Sequence, residues 1–406
     1  MSFNGRKITQ AKAGPAFPMN PLRIGIDVHS IGSHKGGNET YYRELVRELV
    51  KGRFDHRFFL YYTHPEAARQ IAANGHFSLQ RLVPAHPLLR IPFTIPRRAR
   101  LDRLDVFHAQ FIVPPFLKCR TVTTIPDIAY EHCPEFFPAG QRAWLKRLVP
   151  ESAKKADHII TVSEHSKRDL IQTYGIPEEK ITVTYEGAGH EFAPLDRGRA
   201  KERVARKYRV KGDFILFLGR LQARKNLLRL VNAYATVRKS GFHHKLVLAG
   251  QQDSLFLPVL SRIRELRLED DVVLPGYVAA ADVPAFYSAA DVFAYPSLYE
   301  GFGLPLTEAM ACGTPVITSQ GSSLEEVAGD AALLVNPLDE LSIAAALKRV
   351  LEDPELRQCL GQAGLKRSAQ FSFAKAARQT IGVYEQVMGA ESSGERELRV
   401  GRRACL

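Results

Sequence analysis

The chain has 406 residues, of which 45% are apolar, so it can fold as an ordinary globular protein with two domains, each with a full core. It contains no run of about eighteen apolar residues, which excludes a conventional membrane span. Its five cysteines, Cys119, Cys133, Cys312, Cys359 and Cys405, are scattered without a C-x-x-C pair, which argues against a disulfide framework or a zinc site and for a reducing cytoplasm. A formal net charge of +13 favours an anionic partner: nucleic acid, a phosphorylated small molecule or an acidic membrane surface. With no zinc-finger spacing, RNP-like aromatic motif or long basic helix, nucleic acid ranks last of the three.

Residues 1–20 lack the apolar middle of a signal peptide and read as a loose leader. "RIGIDV" (23–28) is the first strand. "KGGNETYY" (35–42) follows it, where Gly36 and Gly37 form a turn and a helix starts at Asn38 or Glu39. Such a helix start can receive an anion, although a Gly-Gly pair is also simply a turn. "LLRIPFTIPRRARLDR" (88–103) sets Arg90, Arg97, Arg98, Arg100 and Arg103 among apolar residues. It reads either as a solvated basic loop or as a contact with an anionic bilayer, at about 1 kcal/mol per arginine. His108 ends the strand "LDVFHAQ" and is either an acceptor-side residue or an ordinary partly buried histidine. Asp127 follows "TVTTIP", where it either orients a substrate hydroxyl or closes a turn.

"HIITVS" and "KITVTYEG" complete a first series of strands alternating with helical segments. The charged stretch "DRGRAKERVARKYRVKGD" (196–213) separates it from a second series that opens with "DFILFLGR" (213–220). Strands rich in Val, Ile and Phe between segments of helical period predict an α/β chain of two doubly wound, Rossmann-like domains facing across a cleft. Residues 21–195 form the first domain and 196–372 the second. Residues 373–390 form a helix that returns to the first, and 391–406 form a mobile tail. The ending "RACL" places Cys405 next to last, which rules out a prenylation box. Ligands in such sheets settle beyond the carboxyl ends of the strands. Gly276, Tyr277 and Val278 end one of them; they either border a ligand's base or pack.

The stretch "YPSLYEGFGLPLTEAMACGTPVITS" (295–319) reads as strand, turn, helix, strand. Pro305 suits the first position of a helix that stops at Gly313 and Pro315, which puts Glu308 in the first turn. Gly301 and Gly303 permit close backbone approach, and the N–H groups of Phe302, Gly303 and Leu304 can face an anion. Glu308 can accept two hydrogen bonds from a vicinal diol, while Glu300 faces another part of the same ligand. On spacing alone, both glutamates could equally cap or solvate the helix.

"EGFGLPLTE" matches the E-x7-E motif of retaining glycosyltransferases of family 4, which have the GT-B fold. "GRLQARKN" (219–226), "VSEHSKRDLIQTYGI" (162–176) and "FSFAKAA" resemble the same family in the same order, and the likeness covers residues 21–390. The resemblance implies a nucleotide-diphosphate-sugar donor, no other cofactor, no bound metal, and a saccharide or lipid-linked saccharide acceptor. It implies that Glu308 binds the ribose, and that Glu300 contacts the donor hexose without acting as a nucleophile. The diphosphate would lie among Gly219, Arg220 and Lys225, faced by Gly36, Gly37 and Asn38. Arginine offers a fork and lysine a point charge, each commonly worth about 3–4 kcal/mol of transition-state stabilisation. The family's usual His-Asp pair is here Pro126-Asp127. That departure motivates a rival, a catalytically silent nucleotide-sugar-binding regulator or scaffold. A dehydrogenase is disfavoured because "GIDVHSIGSHKGG" lacks G-x-G-x-x-G.

Overall fold

The computed structural model describes residues 20–33, 36–52, 54–71, 75–253 and 256–403, with side chains described as far as residue 389. The expected leader, residues 1–20, lies outside the described residues except for residue 20. Seven strands form the first sheet: β1 (Arg23–Asp27), β2 (Arg57–Tyr62), β3 (Phe77–Arg81), β4 (Val106–Gln110), β5 (Arg120–Thr124), β6 (His158–Thr161) and β7 (Ile181–Val183). Six form the second: β8 (Phe214–Leu218), β9 (Lys245–Ala249), β10 (Val272–Gly276), β11 (Val292–Tyr295), β12 (Val316–Ser319) and β13 (Leu333–Val335). Their orders are β3-β2-β1-β4-β5-β6-β7 and β10-β9-β8-β11-β12-β13, and every pairing is parallel.

Continuous apolar runs such as "FILFL" suit strands that helices cover on both faces. The order reverses between β1 and β4 and between β8 and β11, and these switch points open a crevice at the strands' carboxyl ends. Two such crevices face each other here. The loops after β1, β5, β8 and β11 line a single cavity between the domains.

The chain crosses between the domains twice. After β7 it passes to the helix Arg197–Tyr208, and near Phe371 it returns to the last helix, Phe373–Arg403. That helix packs on the first domain: the Phe373 ring lies 6.3 Å from that of Tyr41, and Glu385 lies 3.4 Å from His56. It runs on to Arg403, through most of the expected tail.

His108 is a core residue and takes no part in the cleft. It is fully buried on β4, with Nδ1 2.6 Å from the Tyr384 hydroxyl of the last helix and Nε2 2.6 Å from the Thr124 hydroxyl of β5. Burial pulls its pKa down to about 3, so the ring is neutral. Replacing His108 with Phe should leave two buried hydroxyls unpaired and cost roughly 2–4 kcal/mol of stability. Denaturant titration measures that loss, and nucleotide affinity should be unchanged.

The basic segment is not a solvated loop. Pro87–Leu89 forms a helical turn, Arg90–Thr94 a wider π-type turn around Pro92, and Ile95–Leu101 a helix. Arg90 is buried, 3.2 Å from both carboxylate oxygens of Asp27, and Arg98 is held by Gln80 and Asp102. Arg97, Arg100 and Arg103 stay exposed beside the equally exposed Leu88, Leu89, Phe93 and Leu101.

Candidate donor and acceptor cleft

The cavity between the domains holds about 610 Å³. From the first domain come Gly36, Gly37 and Asn38 at the start of the helix Gly37–Lys51, and Pro126 and Asp127 after β5. Gly36 has φ 95°, a conformation that favours glycine at this helix start. From the second domain come Gly219, Arg220, Arg224 and Lys225 after β8, and Glu300 through Pro305 with Glu308 after β11. A smaller adjoining cavity of about 290 Å³ is bordered by Gly250, Gln251, Tyr277, Val278 and Glu308. Tyr277 is 63% exposed at its rim, whereas Val278 is buried. Apart from Gly276, which lines neither cavity, the sequence-predicted donor residues therefore converge on the two cavities.

The Ala223–Lys225 turn presents two cations at once. Asn226, at φ 62°, ends the turn, and its side-chain amide donates to the carbonyls of Pro296 (3.0 Å) and Pro337 (2.6 Å). This pins the turn beside the end of β11. Lys225 is buried, and its Nζ donates to the Tyr295 hydroxyl at 2.6 Å and to Glu300. Arg224 lies 3.1 Å from the other oxygen of Glu300, and Ser297 also donates to that carboxylate.

Burial opposes charge on Glu300, but Arg224 and then Lys225 overcome it and hold its pKa at about 2. Burial pulls Lys225 down to about 8, with Glu300 resisting and Arg224 adding to the fall. At neutral pH the group is an ionised acid clamped between two cations. Arg220, by contrast, is exposed and reaches into both cavities.

Glu308 is not in the first turn. The helix begins at Leu304, one residue ahead of Pro305, so Glu308 is its fifth residue. Its carboxylate accepts a hydrogen bond from the Tyr287 hydroxyl at 3.0 Å, and burial lifts its pKa to about 7. It borders both cavities, as a ligand to a diol between nucleoside and phosphates would. Asp127 closes a turn, one of the two alternatives that the sequence left open. Its Oδ1 accepts from the Ala129 amide at 3.0 Å, closing a turn, while the residue still lines the cavity. It stands against Gly301, where a Cβ would come within 2.7 Å of the Pro126 carbonyl oxygen and 3.0 Å of the Asp127 Cβ.

The "VSEH" stretch clasps the two domains together. The Ser163 hydroxyl donates to the Gly301 carbonyl at 2.7 Å, and the Glu326 carboxylate accepts from the amides of Glu164 and His165 and from the Tyr185 hydroxyl, each at 2.8 Å. A helix N-terminus in one domain is thereby capped by an acid from the other.

Three charged residues of the larger cavity escaped the sequence reading, Arg224, Glu186 and Asp253. Glu186 stands just beyond β7, so a search of residues following each strand could have found it. Arg224 gave only its adjacency to Lys225. Among the described residues, one group of acids and histidine has ligand atoms within 4.8 Å of one another: Asp213, His244 and Asp291. It sits at the amino ends of β8, β9 and β11, away from the cleft, and Lys201 and Arg197 already pair with its two carboxylates.

Residues 35–192 match the family model Glycosyltransferase Family 4, and residues 198–367 match Glycosyl transferases group 1. An Escherichia coli O-antigen chain mannosyltransferase B is 31% identical over 86% of this chain and 96% of its own. An MMP alpha-(1->4)-mannosyltransferase of Mycolicibacterium hassiacum is 27% identical over 90% of this chain and 98% of its own. In fold, the sucrose-phosphate synthase of Thermosynechococcus elongatus superposes with a TM-score of 0.74 at 23% identity, covering 91% of this chain and 100% of that one. With two parallel-sheet domains in the GT-B arrangement and a matching model on each, the chain belongs to the family 4, group 1 glycosyltransferases.

Proposed function

We propose that this glycosyltransferase moves a hexose, with mannose the first choice, from a nucleotide diphosphate onto a growing surface polysaccharide or lipid-linked saccharide. The transfer would retain the anomeric configuration and need no metal. The observation that carries this reading is the buried Arg224–Glu300–Lys225 cluster, set beside Arg220 and opposite the start of the helix Gly37–Lys51. The names of the two mannosyltransferase relatives support the choice of sugar.

As the anomeric bond breaks, negative charge grows on the departing diphosphate. Arg220, Lys225 and the helix N-terminus are placed to meet it. Glu308 grips the ribose. Two cations hold Glu300, which makes it a poor nucleophile and suits it to orient the hexose. The acceptor oxygen then forms its bond on the face that the phosphate leaves, and its proton passes to the phosphate oxygen. Pro126, Asp127, Tyr130, Phe137 and Gln141 form the wall left for the acceptor.

The test is calorimetry with GDP-mannose, UDP-glucose and UDP-N-acetylgalactosamine, followed by product analysis on a lipid extract. NMR of the new linkage reads the configuration, and EDTA should leave the rate unchanged. A rate that collapses in EDTA and returns with Mg²⁺ or Mn²⁺ would overturn the metal-free reading. Donor binding without turnover would favour the silent regulator that Pro126 suggests.

The reading also places the enzyme at the inner face of the cytoplasmic membrane, through residues 88–103. Exposed Leu88, Leu89, Phe93 and Leu101 interleave there with Arg97, Arg100 and Arg103. Among the described residues no helix is long and apolar enough to cross a membrane. Changing Arg97, Arg100 and Arg103 to Ser should remove about 3 kcal/mol of attraction to anionic vesicles. Cosedimentation that is unaltered in this variant would refute the contact.

A further inference from the structure

Glu186 is a buried acid in the cleft to which no role has yet been given; it is 6% exposed. It follows β7 on the first crossing between the domains and lines the larger cavity, while its neighbour Gly187 lines the smaller one. Gly36, Thr40, Gly219, Arg220 and Glu308 border both cavities and so mark where they meet. On the proposed reading, the nucleoside lies in the smaller cavity and the hexose in the larger. The diphosphate must then cross that junction, beside Glu186.

We propose that Glu186 is a further donor-binding residue, a carboxylic acid whose O–H donates a hydrogen bond to a non-bridging oxygen of the diphosphate. An ionised carboxylate in this position would repel the dianion, whereas the protonated acid attracts it. The surroundings favour the acid form. Burial first, then the carboxylates of Asp127, Glu308 and Glu300, raise the Glu186 pKa to about 8. Tyr41 faces it from the helix Gly37–Lys51. The nearby cations Arg224 and Lys225 are committed to Glu300, Arg43 acts on Glu308, and Arg220 stands exposed at the junction. A bound dianion adds to the same upward push. Donor binding above pH 8 therefore takes up a proton from solvent.

The inference rests on the donor reading, and one experiment separates the two. GDP-mannose is titrated calorimetrically into the full chain at pH 6.5, 7 and 9, in buffers of differing ionisation enthalpy. This donor's own phosphates do not titrate in that range. Wild-type protein should take up close to one proton more than Glu186→Gln at pH 9, where Lys225 can add to the uptake of both, and its affinity should fall by at least about tenfold between pH 7 and 9. Glu186→Gln keeps the shape and a donor group, so it should bind within about threefold of wild type at pH 7 and lose that extra proton at pH 9. Glu186→Leu keeps the bulk without the donor and should bind about tenfold more weakly at every pH. Proton uptake that is undiminished in Glu186→Gln would belong to Lys225 and overturn the assignment, as would Glu186→Leu binding like wild type. Wild-type protein that binds none of GDP-mannose, UDP-glucose and UDP-N-acetylgalactosamine would overturn the donor reading, and the Glu186 assignment with it.

Discussion

Lys225→Ala should lower kcat by roughly 10²–10³-fold while changing the donor KM far less, because its ammonium meets charge that develops only as the diphosphate departs. The ground-state structure explains the split. Before donor arrives, Nζ is already held by Tyr295 and Glu300, so binding an intact donor gains little from it. Arg220 is exposed and reaches into both cavities, so its loss should appear mainly in KM. Steady-state kinetics on both variants tests the division of labour. A Lys225→Ala enzyme with kcat within about threefold of wild type would remove Lys225 from the chemistry.

Glu300→Gln should have a larger structural effect and an opposite effect on nucleotide affinity. The carboxylate is the shared counter-ion of Arg224 and Lys225. Removing its charge leaves two buried cations uncompensated, which should cost about 3–5 kcal/mol of stability. A nucleoside diphosphate brings negative charge to the same place, so it should bind this variant at least as tightly as wild type and restore part of the lost Tm. Turnover should still collapse, because the hexose loses its anchor. The pH dependence follows from the depressed folded pKa of about 2, against an ordinary 4.5. The stabilisation is fully present above about 4.5 and is lost as the pH falls towards 2. Differential scanning calorimetry with and without GDP separates these effects. Equal Tm values for the two proteins at pH 7 would refute the shared counter-ion role.

The fold was legible in the sequence because parallel strands covered on both faces must be apolar along their whole length, as "FILFL" and "VFAY" are. The cleft was legible because loops after such strands carry the chemistry, which brought Gly36, Arg220, Lys225, Asp127, Glu300 and Glu308 to one cavity. Partners distant in sequence were not legible. His108 looked available because nothing near it shows that Tyr384, 276 residues away, packs its hydroxyl against the ring. Arg90 counted as one surface charge among five until Asp27, 63 residues upstream, proved to hold it. Arg224 passed unnoticed because only the short turn locked by Asn226 puts it and Lys225 on the same acid. Glu308 was misplaced by less than a turn, because Gly303 rather than Leu304 caps the helix. Local pattern fixes each element, but it does not say which charge on one element answers a charge on another.

The two passages of chain between the domains touch. A Cβ on Gly187 would sit 2.8 Å from backbone atoms of Phe371 and Ser372, so the outgoing and returning strands of chain are pressed together at that residue. The halves are thus joined by two connections that press on each other at one spot, besides the Ser163–Gly301 and Glu326 contacts. A side chain at position 187 would wedge the two connections apart, so the bare backbone there helps to set how closely the halves sit.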